Sequence, residues 1–213
     1  CFGFSLGLQV MIARKNGEQQ YEKTGRTFFQ GLFFLCGLAV ALILVSYWIT
    51  PPVMQYFISS PQIYQAVIDY LNWRCFGLLF SFPFLAFRSF YVGITKTKVL
   101  TLVALTAVII NIPCNYLFIF GLDLGIAGAA MASSFAEAGS LLIILIYTLR
   151  VTDKVKYGLQ MVYDGKLLKA VLRLSGWSMM HSFVSTAPWF LFFIAIERLG
   201  EVQLAVSNIT RSV

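Results

Sequence analysis

The chain has 213 residues, 59% of them hydrophobic and 12% charged, about half the charged share of soluble domains, which is roughly 25%. That scarcity excludes an ordinary soluble enzyme or binding module. The formal net charge of +7 does not indicate nucleic acid as a partner, because the basic residues sit in short connectors and form no continuous patch.

Charge is absent or nearly so from Phe28–Thr50, Cys75–Phe87, Val99–Leu122, Gly125–Leu149 and Leu174–Ile196. A helix needs about 20 residues to cross the hydrocarbon core. Four of these runs meet that alone, and the second does once extended back to about Val67, across Asp69 and Arg74. The runs are apolar nearly all round, unlike the one-sided helices of a soluble bundle, and lack the alternation of barrel strands. The expected fold is all-α: a polytopic membrane protein built as a multi-helix transmembrane bundle.

In chain order, CFGFSLGLQVMIARK reads as the last part of a spanning helix, to about Ala13, followed by the basic loop RKNGEQQYEKTGR. A second helix is expected over about Phe28–Thr50, stopped by Pro51 and Pro52, which lack the amide donors a helix needs. An uncharged connector leads to a third helix, about Ala66–Tyr91, and the ITKTK turn to a fourth, Val99–Phe120. GLDLG turns into a fifth, about Ile126–Leu149.

Residues 150–173 form the longest polar stretch. Within it Leu167, Leu168, Val171 and Leu172 oppose Lys166, Lys169 and Arg173, the pattern of an amphipathic helix lying on a membrane surface and linking two bundles. A sixth helix is expected over about Leu174–Glu197, and Glu201 to Val213 reads as the start of a seventh. With both ends falling inside helices, the chain is expected to be a fragment of a longer protein.

Thirteen of the sixteen Lys and Arg lie in three connectors, around residues 14–26, 88–98 and 150–173. The connectors PPVMQYFISSPQ and GLDLG between them have none. This alternation is the positive-inside pattern, which places the basic loops in the cytoplasm. Cys1, Cys36, Cys75 and Cys114 all fall in expected helices without CxxC spacing, as small packing residues rather than metal ligands.

Polar residues within the spans are the candidates for function. A charge at the centre of a membrane helix costs about 2.5–3.5 kcal/mol on insertion scales. Glu137 sits near the middle of its helix and Arg74 at a similar depth, so they are expected either to form a structural ion pair or to include a proton-relaying acid. Asn111 and Asn115 share one helix face, with Pro113 about 200° away between them. Pro113 cannot donate to the carbonyl of Ile109 and bends the helix. Two carboxamides there can coordinate a hard cation or bond to a neighbouring helix.

Pro83 and Pro188 mark two further interrupted helices, a frequent transporter feature. His181 is a packing residue or a pH sensor. GIAGAAMA lines Gly125, Ala129, Ala132 and Ala136 along one face for close helix packing. HExxH, GxSxG and P-loop motifs are missing from the sequence, which argues against an enzyme.

The runs FRSFYVGITKTKV, NIPCNYLFIFG and LGIAGAAMASSFAE, in that order, resemble the multidrug and toxic compound extrusion (MATE) family. So do LQVMIARKNGEQ and FIAIERLGEVQLAVSNITRS at either side. The resemblance implies a twelve-helix antiporter of two lobes in the cell (inner) membrane. It would export drugs or other small amphipathic or cationic compounds by alternating access, against sodium or protons, with no other cofactor.

On this scheme residues 1–149 are amino-terminal lobe helices, 150–173 the cytoplasmic linker and 174–213 the start of the carboxy-terminal lobe. Asn111, Asn115, Ser133 and Tyr70 would help bind the coupling ion, with an acid from a helix upstream of this chain. Some members have Asp where Asn115 stands, and others a Glu midway along helix seven, where this chain offers Ser185 and Thr186. Alternatives are a lipid-linked oligosaccharide flippase, which would hold more cationic residues than Arg74 and Arg211 in its cavity, and a non-transporting membrane scaffold.

Overall fold

Helices account for nearly all of the computed structural model, which describes residues 2–57, 61–153, 156–159 and 163–197. They are α1 (Phe2–Gly17), α2 (Tyr21–Phe57), α3 (Pro61–Gly93), α4 (Lys98–Tyr116), α5 (Gly125–Val151) and α6 (Gly165–Glu197), with a π-helical turn, Leu117–Gly121, closing α4. Four of them, α2 to α5, are long and apolar enough to cross a membrane. The all-α, multi-pass membrane fold expected from composition is therefore what forms. The 33 residues of α6 also match a span in length. The start of a seventh helix expected from Glu201 onward, and Arg211 with it, lies outside the described residues.

Several boundaries differ from the sequence-based expectation. The basic loop is mostly helix: α1 runs to Gly17, α2 starts at Tyr21, and the chain reverses through Gln19 at φ 58°. Pro51 and Pro52 do not stop α2, which continues to Phe57. A proline removes its own donor and leaves one carbonyl open, whereas irregular backbone in lipid would strand every polar group along it. Continuing the helix costs less. Pro61 begins α3 earlier than expected, at a position where a missing N–H is no loss.

The expected surface helix at 166–173 is not a separate element. It forms the first turns of α6, started by Asp164, whose Oδ1 accepts from the amides of Lys166 (2.9 Å) and Leu167 (3.2 Å). Nothing between that cap and Pro188 breaks the helix. Val171 and Ser175 are fully buried in it.

The best-packed region lies at the basic-connector end. Phe4, Leu8 and Ile12 of α1, one turn apart, are fully buried where α1 meets α2, α3 and α6. The Phe28 ring stands 5.0 Å from those of Phe87 and Phe90. The Tyr91 hydroxyl bonds to Thr148 (2.7 Å) and Thr152 (2.9 Å), tying α3 to the end of α5. At the other end Trp48, Tyr56, Tyr116 and Phe120 are exposed, as apolar side chains facing lipid would be.

Close approach of α1 and α6 depends on a GxxxG pair that the sequence reading passed over. A Cβ on Gly7 would stand 2.6 Å from the Ser175 Cα, and one on Gly3 would stand 2.7 Å from the Met179 Cα. Small residues permit such contact, and van der Waals packing then holds the helices.

On α5, Gly128 rather than Gly125 makes the close contact. A Cβ there would meet the Phe118 carbonyl at 2.8 Å, whereas Gly125 turns the chain at φ +51°. Burial of α5 at Gly128, Ala130, Ala132, Ser134 and Ala136 reflects its place between α3 and α4, each of which packs on a different face.

Candidate functional site

Because α3 and α4 both pack on α5 and barely on each other, they leave a groove of about 970 Å³. Each helix gives it one stripe at helical spacing. From α3 come Arg74, Ser81 and Arg88; from α4 Thr101, Ala104 and Asn111; from α5 Ser133, Glu137 and Ser140. Four of the six site residues expected from sequence therefore line one space: Arg74, Asn111, Ser133 and Glu137.

The remaining two do not. Asn115 lies one turn beyond Asn111 and donates from Nδ2 to the Asn111 Oδ1 at 2.8 Å. Tyr70 is half-buried on α3, one turn before Arg74, and is not among the groove-lining residues. Pro113 is exposed while both asparagines are half-buried, consistent with opposite faces of α4. The π-helical turn begins one turn after Pro113, with the Leu122 amide reaching back to the Leu117 carbonyl at 2.9 Å. That wide turn was not legible in the sequence.

Arg74 Nη1 donates to Glu137 Oε1 at 2.9 Å, so the ion pair forms, between α3 and α5. It is single-pronged. Glu137 Oε2 is sealed from solvent without a hydrogen-bond partner, and it fills the space beside Gly77, where a Cβ would come within 2.8 Å of it. Ser134 Oγ donates to the Trp73 carbonyl at 2.9 Å and locks the same crossing. Gly77 and Ser134 thus set how closely the carboxylate approaches α3. Ser133 Oγ donates to its own helix, at the Ala129 carbonyl (3.0 Å), leaving its lone pairs toward the groove.

Sequence reasoning missed Arg88. At the basic-connector end of α3 it looks like one more residue of the positive-inside set. Its place in the stripe Arg74, Ser81, Arg88, at seven-residue spacing, was the available signal. The guanidinium lies 5.6 Å from the centre of the Phe2 ring, within cation–π range.

Comparison with known proteins settles the family. Residues 1–117 match the MatE family model. The chain belongs to the MatE family.

Among curated MatE-type relatives, a probable multidrug resistance protein NorM from Idiomarina loihiensis is 24% identical over 69% of this chain and 32% of its own length. One from Listeria innocua is 27% identical over 74% of this chain and 35% of its own. A solved outward-facing multidrug resistance MATE family transporter shares the fold over 99% of this chain and 47% of its own, with a TM-score of 0.84 at 19% identity. The matched part of the chain thus spans about a third of the length of those curated relatives.

Proposed function

We propose that the full-length protein is a cation-coupled exporter of small amphipathic or cationic compounds, working by alternating access in the cell (inner) membrane. Family membership supports this, as do the relatives' description as probable multidrug resistance proteins. The observation that carries it is the meeting of Asn111 and Ser133 on one groove, from different helices. Their oxygens are hard donors of the kind sodium takes, and Asn115 orients the Asn111 carboxamide. Glu137 is the proton-carrying group if the coupling ion is a proton.

The clustering of Lys and Arg in alternate connectors supports a cytoplasmic location for those connectors. Residues 150–173 would then carry the chain between two lobes. Reconstitution into proteoliposomes tests the proposal: an imposed sodium or proton gradient is expected to drive dye efflux, and Asn111→Ala to weaken that dependence. Efflux indifferent to both gradients would overturn it.

One observation favours a second reading. Arg74 and Arg88 both line the groove, which suits the anionic head of a flipped lipid-linked oligosaccharide. Gradient-independent movement of such a lipid, without dye efflux, would select it. A scaffold without transport has no use for an open groove that holds Arg74, Asn111 and Glu137.

A further inference from the structure

Among the described residues, the charge lining the α3–α4–α5 groove is unbalanced. Two guanidinium groups, Arg74 and Arg88, face one carboxylate, Glu137. Arg88 has no acidic partner within ion-pairing distance among the described residues. Fourteen residues separate the arginines on one helix, about 21 Å along its axis. Between them the wall is apolar, with Phe84, Leu85, Val103, Ala107 and Val108.

Arg74 is held but not used up. A guanidinium has five N–H donors in a planar fork, and Glu137 takes one of them, through Oε1 alone. The other oxygen is kept in the corner beside Gly77, so the pair cannot close into the two-pronged form that arginine and carboxylate prefer. Glu137 therefore anchors the guanidinium while leaving an edge of it toward the groove.

We propose that this groove takes a carboxylate-bearing amphiphile, its acid group gripped by the free edge of Arg74 and its apolar body laid along the wall toward Arg88. This deepens the export reading by naming a substrate class, and it rests on that reading only for the claim that the bound compound is transported. Binding itself needs no ion gradient. No covalent step is involved: a second carboxylate joins a guanidinium already fixed by the first.

The test uses the full-length protein in phosphatidylcholine nanodiscs, with dansyl-undecanoic acid and its methyl ester as matched probes. Tryptophan-excited dansyl emission reports binding, since Trp73 adjoins Arg74. The acid is expected to bind about tenfold or more tighter than the ester, the size of a charge-assisted hydrogen bond. Arg74→Gln should erase that difference. Because that change strands Glu137, the neutral double variant Arg74→Gln/Glu137→Gln is measured beside it and should also bind acid and ester alike.

Equal binding of the two probes by the unaltered protein, or a persisting acid preference in the double variant, overturns the proposal. Displacement of the acid by phosphatidylserine, whose headgroup bears a carboxylate, would identify a membrane lipid as the source of the ligand. Lack of displacement would identify a free amphiphile; both keep the carboxylate grip. Failure of gradient-driven efflux with acid preference intact would sink the export reading alone. Coupled efflux with equal probe binding would sink this one alone.

Discussion

Asn115 donates to the side-chain oxygen of Asn111 at 2.8 Å, one turn apart on α4, and only Asn111 reaches the groove. The two carboxamides are therefore unequal: one would meet an ion and the other would aim it. Asn115→Ala is expected to weaken the ion dependence of efflux about tenfold or more, as removal of orienting partners does at metal sites. Asn115→Asp replaces the donor with a carboxylate and should make transport more pH-dependent. Gradient-driven dye efflux measures both, and an Asn115→Ala protein with unaltered ion dependence would return the pair to simple helix stabilisation.

Neutralising one partner of Arg74–Glu137 strands the other in a part-buried site. The pair is partly exposed, 43% at Arg74 and 26% at Glu137, so its worth is less than that of a sealed ion pair. Arg74→Gln is expected to destabilise by about 1–3 kcal/mol, because Glu137 would lose its one visible donor. Adding Glu137→Gln should recover part of that, with an interaction energy of about 0.5–3 kcal/mol in the double-mutant cycle. Thermal unfolding in detergent checks it; strictly additive losses would show that the contact is energetically idle.

The α1–α6 crossing gives a steric prediction. Gly7→Val would drive a branched side chain into the Ser175 backbone, which cannot rotate away. A loss of about 1–3 kcal/mol or more is expected from overpacking. Ser175→Ala, which removes only a 3.3 Å hydrogen bond to the Phe4 carbonyl, should cost about 0.6 kcal/mol, near the average for such bonds in membranes. The ratio of the two in one unfolding assay is the diagnostic quantity.

Lys15, in the last turn of α1, carries a pKa lowered first by burial and then by Lys23, against the opposing pull of Glu18 and Asp164. The folded state therefore holds fewer protons than the unfolded one between its depressed value and the ordinary lysine value. Stability rises with pH across that alkaline window. Lys15→Met should raise stability at neutral pH and flatten the alkaline rise, read as unfolding midpoint against pH. An unchanged profile would mean that Lys15 is fully solvated.

The helical, membrane-spanning class was legible in the sequence because it depends on local composition: a charge-poor run of sufficient length has few alternatives in lipid. The depth of Arg74 and Glu137 was legible for the same reason, but the sequence left open whether they pair or Glu137 relays a proton; the contact at 2.9 Å came only with the structure. Local rules misjudged Pro51 and Pro52, since what decides a helix end there is the cost of the alternative backbone. They also divided α6, where an amphipathic stretch and an apolar one continue into each other.

Which polar groups share a space was decided only by tertiary structure. Arg74 and Glu137 stand 63 residues apart, and Arg88 joins Asn111 and Ser133 on one groove because α3 and α4 each pack on α5 instead of on each other. Periodicity assigns a residue to a face of its own helix; the neighbour that face meets depends on where small residues such as Gly7, Gly77 and Gly128 let backbones approach.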